Sequence, residues 1–385
     1  MTKILVVDDE EDVELLLRQK FAKQLKSKEL DFLFASNGIE AMKMLFQNQD
    51  INIILTDINM PEMDGLTLLS HLSELKRLYK AIIISAYGDM SNIRKAMNRG
   101  ACDFITKPID FNDLEITIFN AIDQYASLKR AMEVESQLTA LQKELMIAYK
   151  IQQSIIPHHF DLYPSVNNLE ILGKMIPNRE VSGDFFDFFP LNNQHLGFII
   201  ADVSGKSISG ALFMAMTRAI IRTVSKHADS PQKCLAEANR ILCADNDTCM
   251  FVTAFYGIFD KKTGLVECAN AGHNPPLLLR ADKTLEEIAR NEGIPLGVTE
   301  ETVYTSHTIT MHKDDCLILY TDGITEAMNA QRELYTEKRF KESIKNWPDG
   351  PLPTLINHIL DDVHLFTKDE PSADDITLLC IKSLT

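Results

Sequence analysis

The sequence predicts two folded domains of different class that are joined by a long helix. The first is a doubly wound α/β domain with a five-stranded parallel sheet, and the second is a larger α+β domain with mostly antiparallel sheets. Short apolar runs alternate with amphipathic stretches over residues 1–124, Gly and Pro are missing from residues 118–156, and strand patterns dominate from residue 166 onward. A length of 385 residues suits two or three domains of roughly 100–200 residues each.

Five strand-and-helix units in order predict the N-terminal domain, residues 1–124. The predicted strands are the continuous apolar runs Lys3–Val7, Phe32–Ala35, Ile51–Leu55, Ala81–Ile84 and Asp103–Ile105. The helical patterns that follow them are Leu15–Leu25, Gly38–Phe46, Leu66–Leu75, Met90–Asn98 and Leu114–Tyr125. Continuous apolar strands that alternate with helices are typical of a parallel sheet covered on both faces.

Residues 125–156 are predicted to form a helical linker, because no Gly or Pro interrupts them. Apolar side chains recur there at a spacing of three and four, at Ala131, Val134, Leu138, Leu141, Leu145 and Ala148. A narrow stripe of this kind is typical of a coiled-coil seam, and a single surface helix is the alternative. We expect the linker to join two copies of the chain as a homodimer.

Paired strand patterns predict the C-terminal domain, residues 157–385. The predicted strands are Leu169–Gly173, His195–Asp202, Phe251–Phe259, Gly264–Ala269, Pro276–Leu279, Thr302–Ile309, Cys316–Tyr320 and Ile376–Ile381. The helical patterns are Gly210–Lys226, Pro231–Cys243, Glu337–Ile344 and Pro353–Phe366. Runs of strands interrupted by helices indicate an α+β domain.

Charge and cysteine usage narrow the class of protein. Lys and Arg total 39 and Asp and Glu total 55, which gives a formal net charge of −16. Nucleic acids and anionic membrane surfaces select clustered positive charge, so we expect neither as a partner. The seven cysteines include no Cys-x-x-Cys pair, and acids at residues 8–12 follow the first apolar run, where a secretory signal would continue. Both features favour a cytoplasmic protein.

Polar side chains follow four of the predicted parallel strands. Asp8 and Asp9 follow the first strand, Asp57 the third, Ser85 the fourth and Lys107 the fifth. Ligands bind beyond the carboxyl ends of the strands in a doubly wound sheet, so these residues are expected to converge. Close carboxylates favour a Mg²⁺ ion, the amine and hydroxyl suit phosphoryl oxygens, and an Asp carboxylate can accept a phosphoryl group.

These residues lie in segments that resemble the receiver domain of two-component response regulators. The segments are Val6-Val7-Asp8-Asp9-Glu10, Leu55-Thr56-Asp57-Ile58-Asn59-Met60-Pro61-Glu62-Met63-Asp64-Gly65, Ser85-Ala86 and Thr106-Lys107-Pro108. The resemblance implies a flavodoxin-like fold and a sensor histidine kinase as partner. It also implies that Asp57 is the phosphoacceptor and that Asp8, Asp9, Asp57 and the Asn59 main-chain carbonyl hold Mg²⁺. Ser85 and Lys107 would contact the phosphoryl group, and Phe104 would be the aromatic switch residue.

Four acidic motifs stand out in the second domain. They are Ser182-Gly183-Asp184-Phe185-Phe186-Asp187, Ile200-Ala201-Asp202-Val203-Ser204-Gly205, Leu319-Tyr320-Thr321-Asp322-Gly323-Ile324 and Ser372-Ala373-Asp374-Asp375-Ile376-Thr377. Each places an Asp at the start or end of an apolar run, which in three of the four motifs is a strand predicted above. Carboxylates without His or Cys clusters select hard cations such as Mg²⁺ or Mn²⁺, and two such ions can clamp a displacement at phosphorus.

These motifs resemble the metal-dependent serine/threonine phosphatases of the 2C class, in the bacterial branch typified by the stage II sporulation E phosphatase. The resemblance extends to segments without a predicted ligand: Ile151–Pro157, Met250–Gly257, Ala269–Pro276 and Gly293–Gly297. It implies an αββα fold and two Mg²⁺ or Mn²⁺ ions. Asp202 would bridge the ions, the Val203 main-chain carbonyl would add a ligand, and Asp184, Asp322 and Asp374 would complete the site.

Other polar residues near these motifs have less defined roles. Asp187 and Asp375 are expected to support the site from outside the ligand set. Relatives with a His just after the bridging Asp use it as a proton donor. Here Ser204 and Gly205 follow instead, so the donor is unassigned. His273 is a candidate acid, for which we favour a structural role in a turn.

The sequence thus predicts a response regulator whose phosphorylation at Asp57 controls a protein serine/threonine phosphatase. The resemblance implies a phosphorylated anti-sigma-factor antagonist as substrate. The alternative is a catalytically weak adaptor that binds a sigma-factor-pathway partner in a phosphorylation-dependent way, but every core Asp is present. A DNA-binding response regulator would need a basic helix-turn-helix, and the C-terminal sequence supplies none.

Overall fold

The computed structural model describes residues 1–75, 77–86, 89–157, 168–244, 246–288, 293–368, 370 and 372–384. The chain divides into two compact units, Met1–Leu141 and Gln142–Thr385. Within the ranges that the structure describes, no helix combines the length and the apolar character needed to cross a membrane.

The first unit is built on a five-stranded parallel sheet with the strand order β2-β1-β3-β4-β5. The strands are β1 Thr2–Val7, β2 Leu30–Ala35, β3 Ile51–Asp57, β4 Lys80–Ala86 and β5 Ala101–Lys107. Five helices follow or separate them: α1 Glu11–Lys20, α2 Ala22–Lys26, α3 Gly38–Gln47, α4 Gly65–Glu74 and α5 Met90–Asn98. Separate apolar cores lie on the two faces of the sheet, which explains the continuous apolar runs. The predicted flavodoxin-like class is confirmed.

Helix α6 is a single helix of 45 residues, Phe111–Ile155. It combines the last predicted helix of the first domain with the predicted linker, because neither Gly nor Pro occurs between them. Its first turns bury Leu114 and Ile118 in the core of the first unit. Every residue from 127 to 144 is exposed in the single chain, including the predicted stripe positions Val134 and Leu138.

The second unit contains two five-stranded sheets, with the strand orders β13-β10-β9-β8-β7 and β12-β11-β14-β15-β6. The strands are β6 Leu169–Ile176, β7 Phe185–Pro190, β8 His195–Val203, β9 Val252–Asp260, β10 Leu265–Ala271, β11 Leu277–Leu279, β12 Leu285–Glu287, β13 His307–Thr310, β14 Cys316–Tyr320 and β15 Ile376–Ser383. The helices are α7 Ser207–Val224, α8 Pro231–Ala244, α9 Asp322–Thr325, α10 Thr336–Asn346 and α11 Leu352–Thr367. Neighbouring strands are antiparallel.

The two sheets of the second unit face each other across one apolar core. A second core joins the outer face of the first sheet to helices α7 and α8, and a third joins the outer face of the other sheet to α10 and α11. These layers form the predicted αββα sandwich, and they bring strand ends from both sheets to the same region.

The structure corrects one predicted strand and adds two. The strand predicted for Thr302–Ile309 begins only at His307, because the main-chain N–H and Oγ1 of Thr302 close a turn onto the carbonyl of Thr299. Strands β7 and β12 were not predicted. Strand β7 reads as Phe185-Phe186-Asp187-Phe188-Phe189, and the aromatic content was the signal that could have revealed it.

Candidate active sites

Three carboxylates meet at the carboxyl edge of the parallel sheet. Asp8 and Asp9 follow β1 directly, and Asp57 is the last residue of β3, which pairs with β1. One carboxylate oxygen from each residue lies within 4.8 Å of the other two. Burial raises the pKa of Asp8 above its ordinary value. These oxygen donors fit a hard divalent cation, which would offset the mutual repulsion of the acids.

Lys107 places a positive charge against the phosphoacceptor candidate. Its Nζ lies 2.6 Å from Oδ2 of Asp57, 2.9 Å from Oε1 of Glu10 and 3.4 Å from Oδ2 of Asp8. Burial by itself lowers the pKa of Lys107, but the hydrogen bonds to Asp57 and Glu10 outweigh it and raise the pKa above its ordinary value. Lys107 is therefore a protonated donor beside the Asp57 carboxylate.

The remaining predicted residues of this site lie on or beside the same strands. Ser85 lies near the end of β4, and its buried Oγ has no hydrogen-bond partner among the residues that the structure describes. The main-chain N–H of Asn59 donates to Oδ1 of Asp57 at 3.2 Å. Phe104 on β5 is 36% exposed. The roles predicted for the residues of this site, Asp57 and Lys107 included, stay predictions.

The predicted metal ligands of the second unit come from strand ends in both sheets. Asp184 lies directly before β7, and Asp202 lies near the end of β8, in the first sheet. Asp322 begins the short helix after β14, and Asp374 precedes β15, in the second sheet. Because β7 pairs with β8 and β14 pairs with β15, each sheet contributes two neighbouring acids.

Two glycines allow the loops of this site to pack closely. A Cβ on Gly323 would lie 1.9 Å from the main-chain oxygen of Asp375, so no side chain fits there. A Cβ on Gly183 would lie 3.0 Å from the main-chain oxygen of Gly205 and 3.2 Å from that of Val203. Glycine therefore brings the loop after β14 against the loop before β15, and the loop before β7 against the loop after β8.

A buried hydroxyl links Asp184 to the second sheet. Oγ1 of Thr321 donates to Oδ2 of Asp184 at 2.7 Å, and it accepts from the main-chain N–H of Thr377 at 3.0 Å. Sequence reasoning missed this role of Thr321, although its position directly before Asp322 in an apolar motif was a signal. The contact joins Asp184 of the first sheet to the strand ends of the second sheet, next to Asp322.

Three acids of this site, Asp184, Asp202 and Asp322, have pKa values above their ordinary ones. Burial, followed by repulsion from Asp202, raises the pKa of Asp184 well above its ordinary value. Burial, followed by repulsion from Asp322, raises the pKa of Asp202 to about 7. Burial is also the main cause that raises the pKa of Asp322. A divalent cation would offset this cost, and carboxylate oxygens suit Mg²⁺ or Mn²⁺, so the chemistry of the donors fits the predicted metal centre. Among the residues that the structure describes, only Asp8, Asp9 and Asp57 bring three such ligand atoms within 4.8 Å of one another, so the four acids of the second unit are not gathered this closely.

Lys206 is a further charged residue at the site that sequence reasoning missed. Its Nζ donates to Oδ2 of Asp374 at 2.9 Å and to the main-chain oxygen of Ala373 at 3.2 Å. The hydrogen bond to Asp374 raises the pKa of Lys206. The lysine follows Asp202 by four residues, and a cation that close to a predicted ligand was the available signal.

Asp187 and Asp375 take different supporting positions. Asp187 is fully buried and accepts from Nε and Nη2 of Arg222 at 2.6 and 2.8 Å, and Nε of Arg218 lies 2.9 Å away. Asp375 instead accepts from Oγ of Ser182 at 2.7 Å and from the main-chain N–H of Gly183 at 2.9 Å. The first forms an internal ion pair with helix α7, and the second positions the loop that carries Asp184.

His273 holds a turn within the second unit. Its main-chain N–H donates to Oδ1 of Asn270 at 2.7 Å, and its carbonyl accepts from Nδ2 of Asn270 at 2.9 Å. Its Nδ1 lies 2.8 Å from Oγ1 of Thr253. Burial lowers the pKa of His273 to about 4. These contacts support the turn role over a role as general acid.

The two sites and the two folds define the class of protein: a receiver domain followed by a 2C-class phosphatase domain. Residues 4–119 match the response regulator receiver domain, and residues 192–383 match stage II sporulation protein E (SpoIIE). The chain therefore combines a response regulator receiver domain with a SpoIIE-type phosphatase domain.

Known proteins support the same assignment. Phosphoserine phosphatase RsbU of Bacillus subtilis (strain 168) is 25% identical over 243 residues, which cover 63% of this chain and 70% of that protein. Protein IcfG of Synechocystis sp. is 27% identical over 56% of this chain, and the chain spans only 37% of IcfG. The SiaA-PP2C domain of Pseudomonas aeruginosa superposes with a TM-score of 0.56 at 20% identity, over 64% of this chain and 98% of that domain, and shows the shared fold.

Proposed function

We propose that this protein is a response regulator whose phosphorylation at Asp57 controls a metal-dependent protein serine/threonine phosphatase. The observation that carries the proposal is the presence of two carboxylate clusters in one chain. The first places Lys107 against Asp57 in a receiver fold, and the second draws on acids at strand ends of two sheets, such as Asp184 in one sheet and Asp322 in the other. One site accepts a phosphoryl group, and the other removes one.

In the first unit, the side chains around Asp57 serve phosphoryl transfer from a sensor histidine kinase. A carboxylate oxygen of Asp57 attacks the phosphorus of a phosphohistidine, and the bond from phosphorus to the histidine nitrogen breaks. Asp8 and Asp9, with Asp57 and the main-chain carbonyl of Asn59, would hold one Mg²⁺. Lys107 and Ser85 hold the phosphoryl oxygens by hydrogen bonds.

In the second unit, the four acids and the main-chain carbonyl of Val203 would hold two Mg²⁺ or Mn²⁺ ions: Asp184, Asp202, Asp322 and Asp374. Two divalent cations at such a site supply charge neutralisation and activation of water for in-line displacement at phosphorus. The water oxygen bonds to phosphorus, and the bond to the serine or threonine oxygen breaks. The products are inorganic phosphate and the free hydroxyl of the substrate protein.

The substrate that we propose is a phosphorylated anti-sigma-factor antagonist. The similarity to two phosphoserine phosphatases, RsbU and RsbP of Bacillus subtilis, supports a phosphoserine protein. Helix α6 leads from the receiver to the phosphatase, and we propose that it forms a homodimer through Val134, Leu138 and Leu141. Phosphorylation of Asp57 would act on the phosphatase through this helix.

The enzymatic part of the proposal is tested by Mn²⁺-dependent release of phosphate from a phosphoserine protein. The Asp322→Asn variant should lose activity by about 100-fold or more, because even supporting residues around a metal ligand contribute about 10–100-fold. Asp229→Asn removes an exposed acid of the same unit and should retain wild-type activity. Equal rates for the wild type and Asp322→Asn would contradict the proposed reaction.

A further inference from the structure

The last turn of helix α6 is anchored in the second unit by one polar and two apolar side chains. Ile156 lies in the core between the two sheets, and Ile155 packs on the core under helices α7 and α8. Between them and the exposed stretch lies Gln152, which is only 4% exposed. A buried Gln is unusual because its amide needs partners on both atoms.

Both ends of the Gln152 side chain bond to one residue, Ser182. Oε1 of Gln152 accepts from the main-chain N–H of Ser182 at 2.9 Å, and Nε2 donates to the main-chain oxygen of Ser182 at 2.7 Å. The amide thus pairs with the backbone of Ser182 as a neighbouring strand would. Neither an aliphatic nor a charged side chain of similar length offers this donor and acceptor together.

Ser182 in turn determines the position of the Asp184 loop. Its Oγ donates to Oδ2 of Asp375 at 2.7 Å and accepts from the main-chain N–H of Asp184 at 3.0 Å. The main-chain N–H of Gly183 donates to the same Oδ2 of Asp375 at 2.9 Å. Ser182 is fully buried, so each of these bonds forms away from water and restricts the loop strongly.

We propose that Gln152 is a positioning residue that ties the end of helix α6 to the metal ligand Asp184. The connection consists of two hydrogen bonds to Ser182 and the two peptide bonds that lead to Asp184. The carboxylate of Asp184 is held from the opposite side by Thr321. A movement of the last turn of α6 therefore shifts one predicted ligand relative to the others and changes the affinity of the site for metal.

This inference rests on the proposed function for its biological meaning, since a contact that reaches the site gives the receiver a route to the phosphatase. Gln152 supplies such a contact within the second unit. The family resemblance of residues 151–157 alone would assign this segment a structural role. The hydrogen bonds from Gln152 to Ser182 connect the segment to the loop that carries Asp184.

The test is Mn²⁺ binding by the full chain, followed by the electron paramagnetic resonance signal of free Mn²⁺. Gln152→Met keeps the size of the side chain and removes both hydrogen bonds. It should weaken Mn²⁺ binding at the second unit by about 10-fold or more, as for the loss of other partners around metal ligands. Gln152→Glu keeps the acceptor for the Ser182 N–H and should give an intermediate loss. Asp8→Asn in all variants removes a predicted ligand of the receiver site, so that the second unit dominates the signal.

Ser154→Ala is the matched control, because Ser154 lies on the same turn, is exposed and bonds only within the helix. Thermal unfolding in EDTA reports whether each variant is folded; if Gln152→Met is not, Gln152→Glu decides. Wild-type Mn²⁺ affinity in a folded Gln152 variant would overturn the inference. Wild-type protein that binds Mn²⁺ but hydrolyses no phosphoserine protein would refute the proposed function alone, because the binding comparison still decides the role of Gln152.

Discussion

Buried aspartates take opposite roles in this protein according to the group that stands beside each carboxylate. Asp187 is fully buried and is neutralised by Arg218 and Arg222. Asp184 is also buried, but it accepts from the neutral hydroxyl of Thr321 and faces the negative charge of Asp202. The first carboxylate has its charge balanced by arginines, whereas the second is placed where a divalent cation would offset the repulsion.

His273 should make the second unit sensitive to acid. Its pKa is about 4 in the folded protein and 6.5 at its ordinary value, so the unfolded chain takes up a proton first as the pH falls. The contribution of the neutral His273 to the free energy of unfolding is fully present above pH 6.5 and is lost as the pH falls from 6.5 to 4. Between pH 7 and pH 5 this one group should cost about 2 kcal/mol of unfolding free energy.

The measurement is denaturant unfolding in EDTA at pH 7 and pH 5. In His273→Asn, the loss of unfolding free energy between the two pH values should be smaller than in the wild type by about 2 kcal/mol. His227→Asn, at an exposed position, should follow the wild type. An unchanged pH dependence in His273→Asn would show that the buried histidine is not the source.

At the scale of elements, helix α6 offers the clearest prediction. If the exposed stripe forms a dimer seam, Leu138→Asp places two charges in that seam. Each buried Leu contributes about 1.5–3 kcal/mol to the free energy of dimerisation. Loss of Leu138 from both subunits should therefore weaken dimerisation by about 100-fold or more.

Sedimentation equilibrium checks this prediction at micromolar protein. The wild type should be dimeric and Leu138→Asp monomeric, whereas Gln137→Asp, a neighbouring exposed position, should stay dimeric. A monomeric wild type would exclude the seam, and a dimeric Leu138→Asp would place the interface elsewhere.

Elements with a strong local signal could be predicted from the sequence. The helix Met90–Asn98 and the strand Cys316–Tyr320 have the bounds that their patterns indicate. The strand predicted from Thr302 failed because a side-chain hydrogen bond to Thr299 favours a turn over apolar continuity. A local pattern therefore predicts the bounds of a helix or strand only where no side chain forms a competing hydrogen bond with the main chain of that segment.

The candidate sites were predictable only in part, for a related reason. The acids carry local motifs, and the structure places them at strand ends as expected. Gln152 and Thr321 lie inside quoted segments, but those segments do not indicate their partners, which lie 30 and 137 residues away in the sequence. Their roles depend on how the sheets and the last turn of α6 pack, which a local pattern does not contain.

At the scale of the whole molecule, the net charge of −16 overstates the negative field of a metal-loaded protein. Seven of the 55 acids are assigned to the two proposed sites: Asp8, Asp9, Asp57, Asp184, Asp202, Asp322 and Asp374. Each divalent cation would offset two of these charges. If the proposal holds, seven of the acids would serve two phosphoryl sites, one that accepts a phosphoryl group and one that removes it, and the other acids would not belong to either site.

The central claim is that phosphorylation of the receiver controls the phosphatase. The most direct measurement is the Mn²⁺-dependent rate of phosphate release from the phosphorylated antagonist, with and without beryllium fluoride as a mimic of the phosphoryl group on Asp57. We predict that the mimic changes the rate of the wild type, that it leaves the rate of Asp57→Asn unchanged, and that Asp322→Asn is inactive in both conditions. A wild-type rate that is the same with and without the mimic, under conditions where the mimic is bound, would contradict the account.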